Sequence, residues 1–488
     1  MKRSNFLIFM TDHQRGDTVP PFIRAITPNL EEMYSESVSF TRTFCPSPHC
    51  CPSRASFFSG LYPSEHGVWN NVDVGNALSR GLFDGVRLWS EDLKAAGYGM
   101  YFSGKWHVSA EEGPCDRGFE SLDNNSRLYS KTKNVPSTYE WDVFYKGKDI
   151  NAGTEIRTES EIIRPGYPKY LQYGETDNPF NDTGTVGAAE VRLAALPDDK
   201  PWCLYVGTLG PHDPYFVPKQ FLDMYNINDI KLPDNFYDDL SDKPYLYKRT
   251  QARYSQLSEN EHRESIRHFL AFCTYEDYLF GRLMDTLKKR SDMDNTIVIY
   301  MSDHGDYMGE HGLWAKGLPC FRSAYYIPLL FKWPGQIKDP GRSVDSLVSM
   351  TDLAPTILEM AGVKAGQAFS GKSLVPFLHG EKTEDWRQEI HTQSNGNEIY
   401  GIQRSVMTDE WKYVYNSFDC DELYNLKNDP LELHNLIFEE AGMEKHMKTV
   451  EEMCRKMWRF AHEHQDTCVN PYIMTALAPF GPGIIYTD

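Results

Sequence analysis

The sequence predicts an α/β protein with a smaller subdomain at its carboxyl end. Three observations carry that reading. Apolar runs over residues 5–10, 98–103, 202–208 and 296–301 each stop at polar side chains, as buried strands of an open sheet do at their carboxyl ends. A long helical stripe over 261–289, with Ile266, Phe269, Cys273, Leu279, Leu283 and Leu287 along it, precedes the last of those runs. From about residue 385 the composition shifts to short strand-like segments at 401–408 and 411–415, then a helical pattern over 441–464. The chain is therefore divided into a large domain, 1–384, and an α+β subdomain, 385–488, whose strands are expected to pair antiparallel.

Length and composition agree with two parts. A chain of 488 residues exceeds one ordinary core. A hydrophobic fraction of 40 %, with 29 tyrosines and 26 phenylalanines, marks an aromatic-rich globular protein. The formal charge of −19 argues against nucleic acid as a partner, because a polyanion needs a basic face. An anionic substrate would have to be met by local cations in a focused cleft. The basic start Met1-Lys2-Arg3 leads into an apolar run, 6–10, that is too short for a signal-peptide core. No run approaches the roughly 20 apolar residues of a membrane span, so no membrane partner is expected. The 10 cysteines follow no framework spacing, which predicts free thiols and a reducing, cytoplasmic setting.

Taken in order, the first strand, 5–10, delivers Asp12 to a sheet edge, followed by His13. Residues 28–36 read as a short helix before a second strand, 38–41. Next comes Pro48-His49-Cys50-Cys51-Pro52-Ser53-Arg54-Ala55-Ser56, with an apolar segment closing at Gly60. A helix is expected from about Ser53, which sets Cys50 near a positive helix end. Arg54 lies one turn beyond Cys50 and can reach the same group with charge-assisted hydrogen bonds; Cys51 reads as a small packing residue. A helix over 88–97 and a strand over 98–103 lead into Gly104-Lys105-Trp106-His107, where an extended stretch would turn Lys105 and His107 to one side. Residues 111–182, rich in Gly, Pro, Asn and Tyr, read as excursions over the mouth of a site. The strand at 202–208 ends in Gly210-Pro211-His212-Asp213-Pro214, and residues 218–259 read as a polar surface excursion. The strand at 296–301 runs into Ser302-Asp303-His304-Gly305-Asp306 and on through Glu310, His311 and Trp314 to Lys316. Glu310 and His311 read as bracing for that loop. A strand over 327–333 and a helix over 349–358 follow, with Asp352 as a cap and Pro355 in the first turn. The tail, 470–488, is expected to fold over a neighbour or the site mouth.

Four of these elements, Cys-x-Pro-Ser-Arg-Ala at Cys50, Gly-Lys-Trp-His at 104–107, Pro-His-x-Pro at 211–214 and Asp-His at 303–304, resemble the signatures of the sulfatases. These enzymes are a branch of the alkaline-phosphatase-like hydrolases. The resemblance extends over nearly the whole chain, including Glu422-Leu423-Tyr424-Asn425-Leu426 near the end. It implies a large mixed, mostly parallel sheet flanked by helices. It also implies that a maturase converts Cys50 to formylglycine, used as its hydrate. One hydroxyl then attacks sulfur, and the other later expels sulfate as the aldehyde re-forms. By the same resemblance Arg54 holds the charged hydroxyl, Lys105 and Lys316 neutralise sulfate from opposite sides, His107 takes the second hydroxyl's proton, and His212 protonates the departing alcohol. The implied metal ligands are Asp12, Asp303, His304 and the group at Cys50. Their oxygens suit Ca2+, while the imidazole leaves Mn2+ or Mg2+ open. Many sulfatases carry a second aspartate after the first; this chain has His13 there, and its place in the shell stays open.

A small sulfated sugar is the first expected substrate, with choline sulfate or an aryl sulfate behind it. Arg15, His66, Trp69, Asn70, Asn71, Asp73 and Trp314 are the side chains expected to suit a sugar. A phosphonate monoester or phosphodiester hydrolase is the competing enzyme reading, and an inactive binding module is the reading from another class. Ser53 and the Gly-Lys-Trp-His element favour sulfate.

Overall fold

The computed structural model describes residues 3–123, 145–397, 399–439 and 441–487. Its central sheet is built from β1 (Asn5–Thr11), β2 (Ser37–Phe40), β3 (Gly99–Gly104), β4 (Glu120–Ser121), β5 (Trp202–Gly207), β6 (Thr296–Ser302), β7 (Leu329–Lys332) and β8 (Arg342–Val344). The spatial order of these eight strands is β8-β2-β7-β6-β1-β5-β3-β4. β1 lies at the centre, parallel to β6 on one side and to β5 on the other, and β3 continues the parallel set. β7 runs antiparallel to both of its neighbours, which makes the sheet mixed.

Both faces are covered. Alternate residues of β1 enter opposite cores, as a period of two requires. Phe6, Ile8 and Met10 pack with α1 (Cys50–Ser59) through Phe57 and Phe58. Leu7 and Phe9 face the other layer, where α2 (Asp182–Ala195) and α3 (Glu259–Lys288) lie through Val186, Phe269 and Phe280. The long α3 starts at a capping box: Ser258 Oγ accepts from Glu261 N–H, and the Glu261 carboxylate accepts the Ser258 N–H at 2.8 Å. α4 (Leu353–Met360) joins the first layer through Leu353 and Ile357. Asp352 makes no side-chain cap bond to α4; it closes a capping box on the preceding turn, whose N-cap is Ser349, by accepting the Ser349 N–H at 2.9 Å.

Beyond α4, β9 (Ile390–Gly396), β10 (Tyr400–Met407), β11 (Trp411–Asn416) and β12 (Glu422–Asn425) form a fully antiparallel sheet in sequence order. One face packs on α5 (Gly442–Glu463), with Val406, Tyr413, Val450, Met453 and Met457 in a separate core.

Several expectations are corrected. The helix expected from Ser53 begins at Cys50, because Pro52 falls in its first turn, where a missing N–H leaves no bond unmade. The strand expected over 327–333 is split at Pro328. Tyr326–Ile327 pairs with Thr43–Phe44 in a small second sheet, while β7 returns to the main one. Residues 218–259 are more than a surface excursion: Tyr247 is buried and its hydroxyl donates to Glu422 of β12 at 2.7 Å. The tail folds onto α5, where Trp458 Nε1–H donates to the Phe480 carbonyl at 2.7 Å, rather than over the site. Of the excursion expected over 111–182, residues 124–144 lie outside the described residues. All ten cysteines are free thiols, and no described helix is long and apolar enough to cross a membrane.

Candidate active site

The parallel strands β1, β3, β5 and β6 end on one edge of the sheet, the edge where open α/β sheets bind ligands. β1 delivers Asp12 and His13, β3 delivers Lys105 and His107, β5 leads to His212, and β6 leads to Asp303 and His304. α1 points its amino end at the same place and presents Cys50 from its first position.

Arg54 organises this cluster. It is fully buried, and its guanidinium donates from Nε to Asp303 Oδ2 at 2.8 Å and from Nη2 to Asp12 Oδ2 at 3.2 Å. Nη1 donates to the Lys105 carbonyl at 3.0 Å and to the Tyr205 hydroxyl at 3.1 Å. A planar fork can join two strand ends in this way; an ammonium cannot. The Lys105 ammonium also contacts Asp12 Oδ2. Burial pushes Asp12 up, and a thiolate at Cys50 would add to that. Lys105, His212 and Arg54 outweigh both and hold the carboxylate below its ordinary range.

The Cys50 thiol lies 3.3 Å from His304 Nε2 and 3.7 Å from Asp12 Oδ1. Burial raises its pKa, but Lys105, Lys316 and His304 together bring it well below the usual thiol value. Position 50 is thus built to hold a negatively charged group. The Lys316 ammonium touches His13 Nε2 and lies 3.2 Å from His212 Nε2. His107 faces Cys50 and Cys51, and its Nε2 lies 2.9 Å from Asp73 Oδ1. Burial lowers the His107 pKa, whereas Cys51 and Asp73 raise it, and the net position is well above the ordinary histidine value.

Backbone strain marks the same spot. His13 (φ 68°), His107 (φ 50°) and Ala315 (φ 57°) are non-glycine residues in the left-handed region, where side chains are rarely tolerated. The stretch 105–107 is therefore not the extended segment expected; the turn at His107 aims its ring. Gly104 (φ 94°) has its own requirement, since a Cβ there would lie 1.9 Å from the Gly207 carbonyl of β5.

Three of the expected metal ligands, Asp12, Cys50 and His304, come together with His13, and Asp303 Oδ1 lies 3.7 Å from His304 Nε2. Ligand atoms of Asp12, His13, Cys50 and His304 lie within 4.8 Å of one another. Asp303 stands behind them, with Oδ2 on Arg54 and Oδ1 accepting the His304 N–H at 2.8 Å. His13 therefore belongs in the cluster. Its Nδ1 lies 3.0 Å from Asp306 Oδ2, and Asp306 also accepts from the Tyr215 hydroxyl at 2.8 Å. With Nδ1–H donated to Asp306, the Nε2 lone pair faces the cluster, the usual backing of a metal-binding imidazole. Burial, with His212 and Lys316 nearby, keeps His13 neutral by lowering its pKa well below the ordinary value. A carboxylate with two imidazoles suits a divalent cation.

The side chains expected to meet a sugar fare unevenly. Arg15 is buried in ion pairs with Asp17 and Glu310, His66 lies 3.0 Å from Ser56 Oγ, Asn70 is buried, and Trp314 Nε1–H donates to His262 Nδ1 at 2.9 Å. Trp69 lies under the Arg404 guanidinium. All five hold the scaffold together. Asn71 and Asp73 remain in the cleft. His311 braces its loop, bonded to Asp238 at 2.7 Å and to Asn235 at 3.0 Å. Outside the reacting cluster the cleft opens into a cavity of about 360 Å³ bordered by His212 and Lys316, with Asn71, Tyr170, Tyr254 and Asn397 on its walls.

A family model described as Sulfatase matches residues 4–363, and one described as N-sulphoglucosamine sulphohydrolase, C-terminal, matches residues 309–462. The chain is 31 % identical over 452 residues to the uncharacterized sulfatase YidJ of Escherichia coli strain K12, covering 90 % of this chain and 84 % of that protein. Among solved structures, the phosphonate monoester hydrolase of Agrobacterium radiobacter superposes with a TM-score of 0.75 at 22 % identity, covering 98 % of this chain and 100 % of that one. BT4656, solved in complex with its substrate D-glucosamine-2-N,6-O-disulfate, superposes with a TM-score of 0.73 at 21 % identity, covering 96 % and 99 %.

Proposed function

The chain belongs to the sulfatase family, and we propose that it hydrolyses a sulfate ester of a small carbohydrate, using a formylglycine made from Cys50 and a divalent metal. The observation that carries this reading is the group at position 50. It sits at the amino end of α1, is enclosed by Lys105, Lys316, His107 and His304, and is tied through Asp12 and Arg54 to two strand ends.

Conversion of Cys50 supplies a hydrated aldehyde, whose two hydroxyls provide a route in for attack on sulfur and a route out for sulfate. Asp12, His13 and His304 would hold a divalent cation beside that group, with Asp303 behind them, and its charge lowers the pKa of the hydroxyl. Lys105 and Lys316 stand where sulfate oxygens need neutralising. His212, 3.2 Å from Lys316 Nζ, is placed to give a proton to the departing alcohol oxygen. His107, hydrogen-bonded to Asp73, faces residue 50; with its pKa raised it holds a proton toward that group, and it takes the second hydroxyl's proton only after giving up its own. A carbohydrate leaving group fits the cavity beyond, which offers two tyrosine rings and two amides.

The fold is shared with a phosphonate monoester hydrolase, so fold alone does not choose between sulfur and phosphorus. The test is mass spectrometry of the peptide containing position 50, with turnover of an aryl sulfate and a phenyl phosphonate measured on the same sample. Aldehyde at 50 and faster sulfate release are expected, and Cys50→Ala should abolish both activities. Preference for the phosphonate would replace the sulfatase reading with its competitor. Full activity in Cys50→Ala would sink the mechanism.

A further inference from the structure

The cavity beyond the sulfate site carries more positive charge than one sulfate ester needs. Besides Lys316 and His212, its lining includes Arg164 and Arg253. The two come from unrelated segments. Arg164 lies shortly after the short strand Glu161–Ile162, and Arg253 lies in the turn after the helix Tyr245–Gln251. Neither guanidinium makes an ion pair among the described residues, and Arg164 rests on the ring of Tyr167 at 4.2 Å.

Acidic residues outnumber basic ones, 69 to 50, and Arg15, Arg157, Arg282, Arg290, Arg387 and Arg404 are each fixed to a carboxylate. Among the described residues the one carboxylate lining the cavity, Asp213, is already engaged: it accepts the Tyr170 hydroxyl at 2.9 Å and lies 3.2 Å from His212 Nδ1. Arg164 and Arg253 are exposed on the cavity wall, where their forks can meet a group that enters. Guanidinium forks match the paired oxygens of a carboxylate or a sulfate. In the reading above the scissile sulfate is met by Lys105 and Lys316 beside Cys50, which leaves these two arginines to a different group. A cationic leaving group such as choline would meet like charge on this wall.

We infer that the substrate carries a second anionic group, a carboxylate or another sulfate, on the sugar bearing the scissile ester or on the sugar next to it, and that Arg164 and Arg253 recognise it. This rests on the sulfatase reading above.

The experiment compares wild type, Arg164→Gln, Arg253→Gln and the double variant on four sulfates. These are an aryl sulfate, glucosamine 6-sulfate, glucosamine 2-N,6-O-disulfate and a 6-sulfated disaccharide with a uronic acid. Binding of the same sugars to the Cys50→Ala protein is measured by calorimetry. Wild type should prefer one of the doubly anionic sugars over glucosamine 6-sulfate by about tenfold or more in kcat/KM, the scale of a charged hydrogen-bonded pair. The double variant should lose that ratio through KM, and binding to Cys50→Ala should show the same difference. The disulfated and uronate arms tell which anion is read. Equal kcat/KM and equal binding for singly and doubly charged sugars would overturn the inference. So would a preference that survives the double variant. If no sulfate ester is turned over, the parent reading fails, and calorimetry still decides whether the arginines read a second anion.

Discussion

Arg54 shows how one side chain can carry a site. Its donors reach Asp303 of one strand end, Asp12 of another, the backbone of a third at Lys105, and Tyr205 within β5. Truncation would strand two buried carboxylates without their shared partner. Arg54→Ala is expected to cost about 3–5 kcal/mol of unfolding free energy, read by urea denaturation, and Arg54→Lys to recover only part of it. Near wild-type stability in Arg54→Ala would mean that the carboxylates find other partners. Residues such as Arg54, Cys50, Lys105 and His212 could be picked out in the sequence because short motifs fix their spacing. His13 and Asp306 could not be given roles from it, and Asp73 was given a sugar rather than His107, because those roles come from left-handed backbone turns and neighbours brought together by the fold. Trp314 and Arg15 misled for the opposite reason: a residue in a polar loop carries no local mark that it will be buried.

Among the elements, α2 and α3 hold an acidic pair behind the loop that bears His212. Asp182, the first residue of α2, accepts the Leu209 and Gly210 N–H groups at 3.0 and 2.9 Å. Glu276 of α3 is buried beside it, close enough for the two carboxyl groups to interact. Burial raises the pKa of Asp182 from 3.8 to about 7, and burial together with Asp182 raises that of Glu276 well above the carboxylate range. Folded-state values above the unfolded ones give stability that is complete below about pH 4 and lost as pH rises through about 7. Thermal denaturation should therefore move to lower temperature between pH 5 and pH 8, and Glu276→Gln should flatten that slope. An unchanged slope in Glu276→Gln would remove the pair as its cause. Strands and long helices were legible from periodicity, including nearly all of α3. The break at Pro328 was not, because residues 326–331 carry no charged side chain and only the competing pairings divide them.

At the scale of the whole molecule, the carboxyl-terminal sheet is bound to the large one by buried polar links rather than by a loose hinge. The Gln393 N–H of β9 donates to the Pro46 carbonyl at 2.7 Å, four residues before Cys50. Arg387 pairs with Asp352, and Lys412 with Glu432, whose other oxygen accepts the Arg322 N–H at 2.8 Å. Calorimetry should show one cooperative transition, and two well-separated ones would disprove this coupling. The composition shift near residue 385 announced a second sheet, but nothing local announced that Asn397 in its first hairpin would reach the cavity wall. The enclosure that these links complete leaves Cys50 only 1 % exposed. No second protein can grip a side chain sealed that far beneath the surface. The proposed conversion of residue 50 therefore has a deadline: it would have to happen while the chain is still open, and a copy that closes too early would be shut out for as long as it stays folded.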